Sequence, residues 1–367
     1  MLLTAFLLLC SSSQPQTCSA PPMGSNPVIS CIDPIGAGPM DTPDPFLFCV
    51  YHKDEYPEGD GQLQAPRRGN GADFNPAAPY RMYHGKKVPG FPSHPHRGFE
   101  TITATLDGVI DHADSHGNAG RYGHGDLQWM TAGKGVQHSE MFPLVNTDAP
   151  NPTRFFQIWL NLPAKSKMAE PAFVMHWSHE VPKLRSEDGL TTAVVWAGDL
   201  FEARGVAALL PPPDSWAAAA ENDVAVVFVS IKPGGTFEIP AAKLGARSNR
   251  KLYYLEGAAF EVGGDAVRSK SILTLRGELP ASLRNPHATE TVDVLLLQGK
   301  PIAEPIAQHG PFVMNTRKEI EQAFDDFQRT QFGGWPWDSS GQTFGTKDRF
   351  ALFNGKETKP PPPAAKE

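Results

Sequence analysis

The chain has 367 residues, 40% hydrophobic and 20% charged, with a formal net charge of -7. That length suffices for two domains with separate buried cores, and the acidic balance, with no Lys/Arg-rich run, gives no electrostatic basis for direct binding to nucleic acid or an acidic membrane. The 36 prolines and 34 glycines imply many turns and few long helices, which makes all-β the leading class.

Residues 2–10 are apolar, too short to span a bilayer and close in length to the core of a secretory signal, with small residues at Cys18-Ser19-Ala20. No Lys or Arg precedes them, so residues 1–40 are read as a leader in which a cleavable targeting segment is one of two alternatives. All four cysteines (Cys10, Cys18, Cys31, Cys49) fall in the first 49 residues. They support neither a disulfide framework through the body of the protein nor a zinc-thiolate site, although a local bridge such as Cys31 with Cys49 fits an oxidising compartment.

A short strand is predicted over 44–51. Residues 53–90 then turn polar, and Pro57, Gly59, Gly61, Pro66, Gly69, Gly71, Pro76 and Pro79 forbid a long regular element. This segment reads as a surface insertion, placed where it can form a lid. His94-Pro95-His96 follows and leads into a strand over 99–106, where Thr101, Thr103 and Thr105 alternate with Ile102, Ala104 and Leu106. His112, Asp114, His116 and His124 lie in a Gly-rich polar stretch and read as loop residues, the alternative being that one of them reaches the mouth of a metal site. A strand bracketed by glycine turns is expected within 123–135, just before His138-Ser139-Glu140.

Side chains alternate across a strand with period two, so each His motif sends both of its metal-capable groups to one face. Two facing strands then supply His94, His96, His138 and Glu140, a set of three nitrogens and one carboxylate that suits iron, nickel, copper, manganese or cobalt better than calcium or magnesium. Further strands are predicted at 154–162, 172–176, 191–196, 224–231, 251–256, 271–275 and 291–297. Thr316-Arg317-Lys318-Glu319 is a capping box that opens a helix with Ile320, Ala323, Phe324 and Phe327 on one stripe. Residues 335–367, with four prolines at 360–363, have the composition of a disordered tail.

Three groups of residues carry a resemblance. They are His94-Pro95-His96-Arg97-Gly98-Phe99-Glu100-Thr101, then Gly125-Asp126-Leu127-Gln128-Trp129-Met130-Thr131-Ala132-Gly133 with His138-Ser139-Glu140-Met141, and finally Gln157-Ile158-Trp159-Leu160-Asn161-Leu162-Pro163 with Gln308-His309-Gly310-Pro311-Phe312-Val313-Met314-Asn315-Thr316. Together they resemble the signature of the pirin family of cupins, from about residue 44 to the end of the helix but not over the 53–90 insertion. The resemblance implies a bicupin of two antiparallel jelly-roll-type β-barrels with a short C-terminal helix. Its expected layout is an N-terminal cupin over 41–183, a C-terminal cupin without a metal over 184–312, and the helix within 313–334.

The same resemblance implies one mononuclear metal, usually iron, on His94, His96, His138 and Glu140. Glu100 stands where other cupins place a carboxylate ligand and competes with Glu140; its expected part is to orient an imidazole or a water. Arg97, Gln128, Trp129, Gln157 and Trp159 are candidate cavity residues, with core packing an equal account of the tryptophans. Four ligands leave one or two metal positions open. The leading functional expectation is a quercetinase-like dioxygenase acting on a flavonol-like aromatic and O2, with Glu140 taking the substrate proton. The alternative is an iron-dependent, redox-sensitive transcriptional co-regulator acting through protein partners. A monomer is expected, in the cytoplasm or nucleus by resemblance, or in a secretory or organellar compartment if the first 20 residues are a targeting peptide.

Overall fold

Short runs of β-branched and aromatic residues separated by Gly and Pro can bury their apolar faces only by pairing and stacking as sheets. The computed structural model describes residues 27–36, 38–68 and 73–361; the predicted targeting segment, Cys10 and Cys18 lie outside them. The first half contains β1 (Ile29–Pro34), β2 (Phe46–Tyr56), β3 (Gly90–His96), β4 (Phe99–Asp107), β5 (Val109–Asp114), β6 (Ala119–Gly123), β7 (Leu127–Thr131), β8 (Val136–Met141), β9 (Asn151–Asn161) and β10 (Ala172–His176). There follow β11 (Lys183–Arg185), β12 (Thr191–Ala197), β13 (Ala225–Ile231), β14 (Thr236–Ile239), β15 (Asn249–Glu256), β16 (Phe260–Val262), β17 (Asp265–Val267), β18 (Ser271–Leu275), β19 (Ala281–Arg284) and β20 (Val292–Gly299). The chain closes with β21 (Ala307–His309), β22 (Phe312–Met314), α1 (Arg317–Thr330), β23 (Phe350–Phe353) and β24 (Lys356–Thr358).

The first barrel joins a sheet of order β10-β7-β4-β9-β2 to one of order β24-β23-β6-β5-β8-β3, and the second joins β1-β18-β15-β20-β13-β12-β11 to β14-β19-β16-β17. Pairing is antiparallel throughout the named strands. Alternation in β4 serves both of its faces. Ile102 and Ala104 enter a core shared with Trp196, Phe228, Leu295 and Leu297 of the second barrel, whereas Thr103 turns into the first barrel, where it meets Glu140 and Gln157. The five-stranded sheet of one barrel thus backs onto the seven-stranded sheet of the other.

Several expectations need correction. The leader is not separate from the fold, because β1 pairs with β18 and closes an edge of the second barrel's main sheet. Cys31 is disulfide-bonded while Cys49 is a buried free thiol, so these two do not pair. Residues 53–90 are more than surface: Met82 and Tyr83 are buried with Phe142 and Phe155, since aromatic residues scattered between prolines can pack without regular structure. Residues 335–361 are ordered as well. Strand β23 extends the first barrel's sheet through β6, the Trp337 indole donates to the Asp114 carbonyl at 2.8 Å, and Arg349 pairs with Asp126 at 2.9 Å.

The helix forms where its capping box stands, with the Thr316 side chain accepting from the Glu319 N–H and Glu319 returning a bond to the Thr316 N–H. Its buried Ile320 and Ala323, with Phe324 and Phe327, cover Phe312, Met314 and Phe332. No helix among the described residues is long and apolar enough to cross a membrane.

Candidate metal centre

Strands β3 and β8 lie side by side, with His94 directly opposite His138. Period two carries His96 to the same face as His94, so that each of the three histidines brings one ring nitrogen within 4.8 Å of the other two. All three rings are buried, with centroids 4.5 to 4.9 Å apart. The His94 Nδ1–H donates to the Pro92 carbonyl at 2.9 Å, which fixes the tautomer with the lone pair on Nε2. His138 buries both ring nitrogens without a hydrogen-bond partner. A buried nitrogen in that state carries a desolvation penalty that a metal bond removes, and the donor set therefore fits a divalent transition metal.

Burial keeps these rings in the neutral form a ligand needs. It lowers the His94 pKa to about 4 and pushes those of His96 and His138 well below the usual imidazole range, neighbouring histidines adding to the effect. Glu140, two residues after His138, turns to the same side, with Oε2 4.0 Å from His138 Nε2. Two donors hold it: Thr103 Oγ1 at 2.9 Å from Oε1 and Gln157 Nε2 at 2.7 Å from Oε2. The convergent group is thus the three histidines, and Glu140 stands beside it, near His138. Burial raises its pKa.

Glu100 does not reach the histidines. It faces the opposite side of β4 from Thr103, where it accepts from Thr131 Oγ1 at 2.6 Å and from Ser215 Oγ, a residue of the second barrel, at 2.5 Å. Its expected part beside an imidazole is thus not met, because the alternation that exposes Thr103 to the centre must turn Glu100 away. Trp129 packs in the inter-barrel core, and Gln128 is buried against the Tyr122 hydroxyl; neither lines the cavity. Arg97 points outward instead, pairing with Asp326 of α1 at 2.9 Å and lying 4.6 Å from the centre of the Phe332 ring.

Gln157 and Trp159 do face a cavity of about 870 Å³, together with His94, His96 and Glu140. Its walls include Phe48, Tyr51, Phe74, Tyr83, Phe91, Phe142 and Phe155 beside the charged Lys53, Arg81 and Lys270, with Leu255 and Glu256 from the second barrel. His112, predicted in a loop, is fully buried on β5, opposite Glu140 in register and with its ring 5.5 Å from that of His138. Asp114 is also on that strand, where it accepts from the His116 and Asn118 N–H groups and tightens the turn into β6, while His116 and His124 are exposed. Thr103 escaped sequence reading because its alternation with Ile102 reported a strand but not which strand faced it.

Two antiparallel barrels in one chain, with a histidine cluster inside the first, define a bicupin. Residues 70–160 match the Pirin family and residues 226–333 the Pirin C-terminal cupin domain, and a pirin-like protein of Caulobacter vibrioides is 39% identical over 244 residues, 66% of this chain and 80% of that protein. The chain belongs to the pirin family. Human pirin is 33% identical over 268 residues, 71% of this chain and 84% of its own length. A crystal structure of quercetin 2,3-dioxygenase from Acinetobacter baumannii superposes with a TM-score of 0.62 at 26% identity, covering 84% of this chain and 96% of that one.

Proposed function

We propose that this protein is a dioxygenase that opens a flavonol-like aromatic substrate with O2. The observation that carries this reading is the cavity, whose aromatic walls converge on His94, His96 and Glu140 and whose size suits a multi-ring ligand. The similarity to a bacterial quercetin 2,3-dioxygenase supports it. A divalent metal held by His94, His96, His138 and Glu140 would supply Lewis acidity and open positions at the floor of the cavity.

The protein's own residues account for the rest. Glu140, raised in basicity by burial, takes the proton of the substrate's enolic hydroxyl and leaves an electron-rich ring for O2 to attack. Thr103 and Gln157 aim its two oxygens, and Trp159 with Phe48, stacked at 4.6 Å, offers a flat face to the ring system while excluding water. Aerobic incubation of metal-loaded protein with quercetin should bleach the flavonol absorbance and consume oxygen. Absence of turnover with iron, manganese, nickel, copper and cobalt would overturn the reading for that substrate.

One contact favours a second reading, a redox-sensitive iron protein that acts through a protein partner. Arg97 follows His96 directly and ties the centre to Asp326 on the surface helix, a route by which a change at the metal would reach the exterior. Here the ferrous and ferric forms must bind the partner with different affinities; equal affinity removes this role.

A further inference from the structure

The same cavity carries a second buried polar assembly, one that the chemistry above does not use. His52 of β2 is only 6% exposed, lines the cavity and stacks on Phe155 with ring centroids 4.4 Å apart. Its Nδ1 lies 2.8 Å from the Tyr83 hydroxyl. That hydroxyl donates to Asp54 Oδ2 at 2.7 Å, and Asp54 is in turn paired with Arg81 Nε at 2.8 Å and accepts from the Arg81 N–H at 2.9 Å.

A phenol has one hydrogen to give, and Tyr83 gives it to Asp54. The Nδ1 position of His52 must therefore be the donor to Tyr83, which leaves the lone pair on Nε2. Burial, with Arg81 nearby, lowers the His52 pKa to about 3 and keeps the ring neutral. None of the hydrogen bonds of His52 engages Nε2, so a well-buried ring on the cavity wall presents one unused acceptor. Phe91 separates it from the centre, with its ring 6.1 Å from that of His52 and 6.4 Å from that of His94. Arg81 and Tyr83 both belong to the connection between β2 and β3, which thus serves to lock a tautomer.

We propose that His52 is a specificity-determining residue of this cavity: its Nε2 accepts a hydrogen bond from a phenolic hydroxyl on the part of a planar aromatic ligand remote from His94, His96 and His138, with Tyr83 and Asp54 as positioning residues. This rests on the cavity being the flavonol-like site proposed above. A site built to accept a hydroxyl discriminates against the analogue that lacks it, because the acceptor is then left buried and unpaired.

The test is anaerobic binding to metal-loaded protein, followed by quenching of tryptophan fluorescence, so that no turnover is needed. Quercetin and 3-hydroxyflavone share the metal-facing hydroxyl and carbonyl and differ in the remaining ring hydroxyls. Wild type should prefer quercetin by about tenfold, as expected for one well-placed hydrogen bond. His52→Phe should weaken quercetin binding about tenfold more than 3-hydroxyflavone binding, and His52→Gln should restore part of that difference. Tyr83→Phe, which releases the tautomer, should lower the ratio of quercetin to 3-hydroxyflavone affinity. Equal affinity of the wild type for the two flavonols, or an equal loss of both in His52→Phe, overturns the proposal. Binding of neither flavonol overturns it together with the dioxygenase reading, whereas the expected discrimination without turnover in air sinks only the latter.

Discussion

Glu140 shows how a single carboxylate is made useful by the residues beside it. Thr103 and Gln157 each bond one of its oxygens, and the Thr103 hydroxyl also lies 2.8 Å from Gln157 Oε1, so the three side chains form one network that fixes the carboxylate beside His138. Removing one such support typically costs roughly 10- to 100-fold in metal affinity or activity. Thr103→Val, close to the same volume, should therefore lower kcat for oxygen uptake by that factor while the melting temperature stays within a few degrees; unchanged kcat would mean that the carboxylate needs no orientation. Glu100 permits a prediction of a different kind. Burial pushes its pKa up to about 7 from an ordinary 4.5, against the lowering influence of its bonds from Ser215 and Thr131. The folded protein thus holds the proton more tightly than the unfolded chain does. Its stabilising contribution is complete below pH 4.5 and fades as pH rises through 7, by on the order of 3 kcal/mol. Glu100→Gln should flatten that part of the profile, and urea midpoints of both proteins at pH 5 and pH 8 measure the difference; parallel profiles would rule out a titrating Glu100.

At the scale of elements, the C-terminal segment behaves unlike its composition. Strand β23 adds to β6, burying Phe350 to 1% exposure, and the Phe344 N–H donates to Asp111 at 3.0 Å. Asp126, buried in the turn before β7, has Arg349 as its ion-pair partner. Truncation after Gly334 strands that carboxylate and opens a sheet edge, and loss of one buried Phe alone costs about 3–5 kcal/mol. The truncated chain should melt more than about 5 °C lower and bind a hydrophobic dye. A melting curve that coincides with the full-length one would show the segment to be dispensable. The connection from β2 to β3 teaches the same lesson: its prolines forbid a helix or long strand, yet Tyr83 reaches Asp54 and Phe74 reaches the cavity.

For the whole molecule, the candidate metal centre stands on the six-stranded sheet inside the first barrel, while the five-stranded sheet facing it, which sends in Thr103, packs its other side in the inter-barrel core. A bound ion stabilises only the folded form, by about 2.7 kcal/mol when its free concentration is a hundred times Kd. Chelation should consequently lower the melting temperature by several degrees and reloading should restore it. His138→Ala should show neither response, since it deletes the ring that β8 places opposite His94; a chelation response that survives in that variant would place the ion elsewhere.

Much of this was legible in the chain as written. Alternation of Thr101, Ile102, Thr103 and Ala104 announced a strand, the spacing of His94 with His96 and of His138 with Glu140 announced shared faces, and Thr316 with Glu319 announced a helix start, because each of these signals lies within a few residues and depends only on local backbone geometry. The strand at His112 was hidden, since Asp111, His112 and Asp114 are polar residues buried by partners such as Arg121 and Asn118, and burial of that kind leaves no hydrophobic pattern. Which face of β4 meets the histidines, whether Trp129 lines a cavity or a core, and that Tyr83 stands beside His52 were decided by sheet pairing and barrel closure alone. Those are contacts between distant segments, and a local pattern carries no record of what lies across the space it faces.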